Sequence, residues 1–121
     1  MISKEEVLQA KCVEWFWNNH ISERRMLHCN NNNSHNSIAG NKAKAMGVTS
    51  GVSDLEWIDY FCTVYIELKT EYGTQSNEQK DFEAKIKERG HQYIIIRSLD
   101  HFMAFITKRI NNRHGALGNN R

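Results

Sequence analysis

Gly51-Val52-Ser53-Asp54-Leu55, followed by Cys62-Thr63-Val64-Tyr65-Ile66-Glu67-Leu68-Lys69, is the stretch around which this chain is organised. The second segment alternates. Val64, Ile66 and Leu68 point one way, and Thr63, Tyr65, Glu67 and Lys69 the other, because successive side chains of a strand take opposite faces. One face is wholly aliphatic, and the other carries an acid and a lysine. Asp54 opens the preceding strand, about Asp54 to Ile58, and a hairpin between the two strands can set it beside Glu67. Two carboxylates side by side repel unless a cation lies between them. Hard oxygen ligands suit Mg²⁺ or Mn²⁺. Such an ion binds a phosphate oxygen and lowers the pKa of a bound water. Lys69 adds a point charge that could orient the attacking water or stabilise charge developing at phosphorus. An Asp followed by Glu-x-Lys is thus a minimal set for metal-dependent phosphodiester hydrolysis. Glu-x-Lys by itself is common, and two exposed strand residues paired with neighbours give the same string.

Outward from this pair, the remaining elements follow from periodicity. Leu8, Cys12, Trp15 and Phe16 form one apolar stripe of a helix from about Lys4 to Asn18,. Ser3-Lys4-Glu5-Glu6 reads as its capping box, with Glu6 reaching back to Ser3,. Arg25 to Cys29 is a short strand, and Ser37 to Met46 a short helix stopped by Gly47,. After the central strands, a helix runs from about Ser76 to Glu88 and ends at Gly90. Gln92 to Arg97 is a buried strand, and Leu99 to Ile110 a last helix with Phe102, Phe105 and Ile106 inward. The order α, β, α, β, β, α, β, α predicts an α/β fold, a mixed β-sheet flanked by helices.

Length and charge narrow the function. The chain has 121 residues, 40% hydrophobic and 25% charged, which is one globular domain with a real core. That domain is expected over 1–110. The segment 111–121 holds only Ala116 and Leu117 as apolar residues and is expected to be a flexible basic tail,. No apolar run approaches the roughly 20 residues a bilayer requires, and Met1 to Glu6 predicts no secretory signal,. The 3 cysteines, Cys12, Cys29 and Cys62, form no disulfide framework, and a reducing compartment suits them,. The net charge of +2 is mild, but its distribution is not even. Between Arg24 and Ser53 there is no acid, while Arg24, Arg25, Lys42 and Lys44 are basic. After Asp100 there is again none, while Lys108, Arg109, Arg113 and Arg121 are basic. A basic periphery around an acidic centre fits a phosphate-binding surface wrapped around a cation site. Chance clustering on a solvated surface gives the same pattern.

The segments GVTSGVSDL, VYIELKTEYGTQSNEQKDF and GHQYIIIRSLDHFMAFI together resemble the VRR-NUC domain, a branch of the PD-(D/E)xK nucleases. The matching elements are Gly51, Asp54, Glu67, Leu68, Lys69, Gly73, Ser76, Gln79 and Gly90, with Gln9 in the first helix and His28 with Asn30 at a strand end. The resemblance covers about Glu5 to Ile106. Ser53 stands where the family often has Pro, a position that ligates nothing. The resemblance implies a restriction-endonuclease-like fold and a metal-dependent endodeoxyribonuclease. Asp54 and Glu67 would be metal ligands, with the Leu68 carbonyl completing the shell, and Lys69 the catalytic lysine. A first-helix glutamate would be a further ligand: Glu6 is the choice, with Glu5 and Glu14 as alternatives. Asn30, Lys42, Lys44, Ser76 and Gln79 would contact nucleic acid. Mg²⁺ is the implied cofactor, with Mn²⁺ able to substitute. The substrate would be branched or duplex DNA, cut by structure as a Holliday-junction resolvase cuts it, by a homodimer with two sites. The alternatives are a nickase or flap nuclease acting with a replication partner, and a non-catalytic DNA-binding module. A phage or prophage source, and so the cytoplasm of a bacterial host, is implied in the same way.

Three other features have plainer readings. His28, Cys29 and His35 lack the paired spacing of a zinc site,. Trp15, Phe16 and Trp17 read as helix core, with Trp17 off the stripe and available for a dimer contact,. The stretch from Asn30 to Ser37 is polar throughout and reads as an exposed loop, free to touch DNA,.

Overall fold

The computed structural model describes residues 2–30 and 37–118, with side chains over 2–30 and 40–113. Residues 31–36 of the Asn-rich stretch, His35 among them, and Arg121 fall outside these residues. The elements are α1 (Lys4–Asn19), a 3-10 helix (Ile21–Met26), β1 (Leu27–Cys29), α2 (Ser37–Ala45), β2 (Leu55–Ile58), β3 (Thr63–Leu68), α3 (Asn77–Glu88), β4 (Gln92–Ile96) and α4 (Leu99–Gly118). The sheet order is β1-β2-β3-β4. β1 with β2 and β2 with β3 are antiparallel, and β3 with β4 is parallel. The parallel pair requires a crossover, and α3 supplies it. This is the mixed, helix-flanked sheet that the sequence predicts.

The alternation in β3 divides the molecule into layers. Val64, Ile66 and Leu68 are fully buried, and they join Leu55 and Trp57 of β2 in one cluster. Cys12 and Phe16 of α1 and Phe102 and Ile106 of α4 cover that face. Phe16 meets Trp57 edge-on at 5.9 Å, and Trp15 meets Phe102 the same way at 5.9 Å. Burying side chains of this size contributes about 1.5–3 kcal/mol each. On the opposite face, Tyr65 of β3 packs on Phe82 of α3 at 5.3 Å, and Phe82 on Tyr93 at 6.3 Å. Glu67 lies on this second face, beyond Tyr65 along the strand,.

Two boundaries differ from the sequence reading. Arg25 and Met26 belong to the 3-10 helix, so β1 begins only at Leu27. The last helix continues past Ile110 to Gly118. The reason lies in Arg113, which is buried and holds Glu23 through Nη1 at 2.9 Å and Nη2 at 3.1 Å. Its Nη2 also donates to Asp59 at 2.5 Å, and Arg109 Nε donates to the other Asp59 oxygen at 2.5 Å. The Arg113 guanidinium lies 5.5 Å from the Trp57 ring centre. Composition alone gives Arg113 as tail, but a guanidinium paired twice and stacked on a core indole anchors the first turn beyond Ile110, and the helix runs on to Gly118,.

Candidate active site

The site forms where β2 begins and β3 ends. Asp54 sits just before β2, and its Oδ2 accepts a 2.7 Å hydrogen bond from the Leu68 N–H. That bond fixes the Asp54 carboxylate against the strand that carries Glu67. The loop bearing Asp54 is held from two sides. Asn30 donates its backbone N–H to the Asp54 carbonyl at 2.9 Å and its side-chain amide to the Ser53 carbonyl at 3.2 Å. Ser53 is fully buried and donates its hydroxyl to the Leu55 carbonyl at 3.0 Å. On the other side, Gly51 has φ +83°, and a Cβ there would lie 2.7 Å from Glu78 Cβ and 2.8 Å from its backbone. Only glycine allows the loop to lie this close to the first turn of α3.

Glu67 is 3% exposed. Its Oε2 accepts from Gln79 Nε2 at 3.1 Å, and Lys69 Nζ stands 3.8 Å from the same oxygen. Burial pushes the Glu67 carboxyl up to about 8; the Asp54 charge and a hydrogen bond with Asp54 add to this, as does Glu5, while Lys69 opposes it,. Glu67 Oε1 is buried with no N–H or hydroxyl partner. In the empty fold the hydrogen bond shared with Asp54 answers this oxygen, and a hard cation between the two carboxyls would take the place of its proton. The donor set therefore fits a divalent ion, with Asp54 and Glu67 contributing carboxylates. Among the described residues, no three His, Cys, Asp or Glu side chains cluster closely enough to hold an ion by themselves. Backbone oxygens, water or substrate would have to complete the shell.

Lys69 follows β3 directly. It is 9% exposed, and its N–H donates to the Ile96 carbonyl at 3.0 Å. The turn after it is held by Arg97, whose Nη1 donates to the carbonyls of Thr70 at 2.8 Å, Glu71 at 3.3 Å and Gly73 at 2.7 Å. Gly73 rests against the Lys69 stem, so the turn covers it. Nothing in the sequence marks Arg97 as part of this site, since its partners lie 24 to 27 residues earlier.

The helix after the turn contributes Gln79. Ser76 caps α3 and accepts from the Gln79 N–H at 3.2 Å, while Gln79 Oε1 accepts from the Ser76 N–H at 2.9 Å. This is a complete capping box,. The same Gln79 side chain turns its Nε2 on Glu67. Ser76 is exposed and Gln79 half-buried.

Among the first-helix glutamates, Glu6 is exposed, and its N–H donates to the Ser3 hydroxyl at 3.1 Å. That is half of the expected capping box and leaves Glu6 at the helix start. Glu5 is the one whose charge acts on Glu67. Neighbouring helix residues point about 100° apart, so one step along α1 decides which carboxylate faces the sheet end. Glu14 is exposed further along α1. Gln9 reaches Cys29 rather than the carboxylates, donating to its sulfur at 3.1 Å. Lys42 and Lys44 are exposed on α2, and no hydrogen bond or ion pair among the described residues joins them to the site.

No helix among the described residues is long and apolar enough to cross a membrane. No family model matches the chain, and no curated protein matches it. A solved structure described as a "VRR_NUC domain protein" superposes on it with a TM-score of 0.72 at 19% identity, covering 92% of this chain and 91% of that one. The chain thus has the α/β, restriction-endonuclease-like fold of a VRR_NUC domain protein, with Asp54, Glu67 and Lys69 gathered at one end of its sheet.

Proposed function

We propose that this protein is a VRR-NUC nuclease, a Mg²⁺-dependent endonuclease that hydrolyses phosphodiester bonds in branched DNA in the manner of a Holliday-junction resolvase. The observation that supports this reading is the meeting of Asp54, Glu67 and Lys69, with Glu67 Oε1 buried and reached by no protein N–H or hydroxyl. Asp54 and Glu67 would hold the cation, with the Leu68 carbonyl as a backbone ligand; Mn²⁺ meets the same oxygen donors. The bound ion supplies positive charge to a phosphate oxygen and acidity to a water. Asp54 stays aligned through its bond from the Leu68 N–H. Glu67 would have to give up the proton that its burial favours before its carboxylate could hold the cation,. Lys69 presents an ammonium 3.8 Å from Glu67, where negative charge would grow on the scissile phosphate,. Gln79 steadies the Glu67 oxygen that faces Lys69. A four-way junction has two-fold symmetry and needs two cuts, so the working unit is a homodimer. The source we propose is phage or prophage, acting in the bacterial cytoplasm.

The test is cleavage of a labelled four-way junction and a matched linear duplex, with Mg²⁺, with Mn²⁺ and with chelator, alongside Lys69→Ala. Metal-dependent cutting of the junction, abolished in Lys69→Ala, is the expected result. Equal cutting of linear DNA would replace the resolvase reading with that of a nickase. Tight junction binding without any cutting would replace it with that of a non-catalytic DNA-binding module.

A further inference from the structure

We infer that the groove between the end of α1 and β1 binds an unpaired DNA strand, with Trp17 as its stacking platform and Arg24 and Arg25 as its phosphate contacts. This inference rests on the DNA reading above and assigns a strand-binding surface outside the carboxylate site. The groove is a cavity of about 390 Å³ lined by Trp17, Arg24, Arg25, Leu27 and His28. Of the 3 tryptophans, Trp57 is fully buried and Trp15 is packed edge-on against Phe102, whereas Trp17 is 44% exposed. An indole left in water on a helix whose other face is core needs an occupant or a reason. The cations beside it give the occupant's charge. Arg24 Nε donates to the Trp17 backbone carbonyl at 2.7 Å, and both side chains line the same groove. Arg25 is exposed, and its carbonyl bonds to His28 Nε2.

Of the acids nearby, Glu23 is engaged by Arg113, which leaves Glu56, 3.8 Å from His28 Nδ1, as the acid facing the two arginines. Two arginines flanking an exposed aromatic face form a surface for a chain of phosphates carrying flat bases. Stacking of this kind is tolerant of sequence, because every base has a π-face. Arginine also spans phosphate oxygens in a way that a single ammonium does not.

β1 connects the groove to the site: Leu27 lines the groove, and Asn30, the residue after Cys29, donates its N–H to the Asp54 carbonyl. Three strand steps separate Leu27 from Asn30, roughly 10 Å at about 3.3 Å per residue, so a strand held in the groove can run on along this edge toward the carboxylates.

The experiment is titration of the full chain in chelator with a 15-nucleotide oligo-dT, read by tryptophan emission and by anisotropy of the labelled oligonucleotide. Wild type should bind with quenched emission, and Trp17→Phe should lose the quench. Arg24→Ala with Arg25→Ala should weaken binding about 10-fold and flatten its dependence on salt by about 1.4 in log-log slope, at ~0.7 per phosphate contact. Unchanged emission on binding, or a double arginine variant that binds like wild type, overturns the inference. Junction cleavage in Mg²⁺ is measured on the same proteins. Loss of cutting with the quench intact refutes the nuclease reading and leaves the groove. Wild-type cutting and binding by the arginine variant refutes the groove and leaves the nuclease.

Discussion

Gln79 performs two tasks with one amide: its Oε1 closes the capping box on the Ser76 N–H at 2.9 Å, and its Nε2 donates to Glu67 Oε2 at 3.1 Å. The start of α3 and the candidate catalytic carboxylate are therefore set by the same rotamer. Gln79→Ala should cost about 1 kcal/mol through the cap and lower cleavage about tenfold or more through a misplaced Glu67. Gln79→Glu separates the two tasks, because glutamate also completes a capping box. It should keep the melting temperature within a few degrees and lose activity, since a carboxylate then faces Glu67. Thermal melts and junction cleavage on both variants check this. Equal losses of stability and activity in both would show that Gln79 acts only through the helix.

Glu67 makes stability depend on pH in a defined direction. Its carboxyl is raised from 4.5 to about 8. Between those values the folded chain holds a proton that the unfolded chain releases, so this group's contribution to stability falls as pH rises through that window. Glu67→Gln carries no such proton and should be more stable than wild type at pH 8.5 in chelator, by on the order of 2–4 kcal/mol. Its advantage should vanish near pH 4. Adding Mg²⁺ at pH 8.5 should raise the wild-type melting temperature and leave the variant unmoved. Melts across pH with and without metal read all three effects, and parallel pH profiles would contradict the assignment.

Arg113 ties the last helix to the rest of the domain. Replacing it by Ala leaves Glu23 without its guanidinium and Asp59 held by Arg109 alone; removing one partner of a buried ion pair costs up to about 3–5 kcal/mol, and the remaining Arg109 pair places this variant toward the low end. Ending the chain after Ile110 removes the same guanidinium and should destabilise by a similar amount. Denaturant unfolding of both compared with wild type is the check. A truncated chain of wild-type stability would place Arg113 among dispensable surface charges.

Gly51 tests how closely the Asp54 loop must lie on α3. A Cβ there meets Glu78 backbone atoms at 2.8 Å, and the residue sits at φ +83°. Gly51→Ala therefore carries a conformational penalty of about 1–2 kcal/mol in addition to the clash. Because Asp54 lies three residues on, cleavage should fall more than stability explains. Cleavage rates measured well below the melting temperature separate the two effects.

Much of this protein can be read from local pattern. The alternation of Val64, Ile66 and Leu68 against Tyr65 and Glu67 follows from strand geometry, which is fixed by covalent structure and needs no partner. It placed β3, assigned its aliphatic side to the core and put Glu67 and Lys69 near Asp54. The helix from about Ser76 to Glu88 is legible in the same local way, and α3 starts at Asn77 with Ser76 as its cap. Other decisions required the assembled fold. Glu5 rather than Glu6 acts on Glu67, because the rotation of α1 about its axis is set by packing Cys12 and Phe16 on the sheet. Arg97 grips a turn more than twenty residues earlier, and Arg113 reaches Asp59, 54 residues away. Such pairs have no period in the sequence. They exist because β4 and α4 return across the sheet, and a long guanidinium then finds carbonyls and carboxylates that burial has stripped of water.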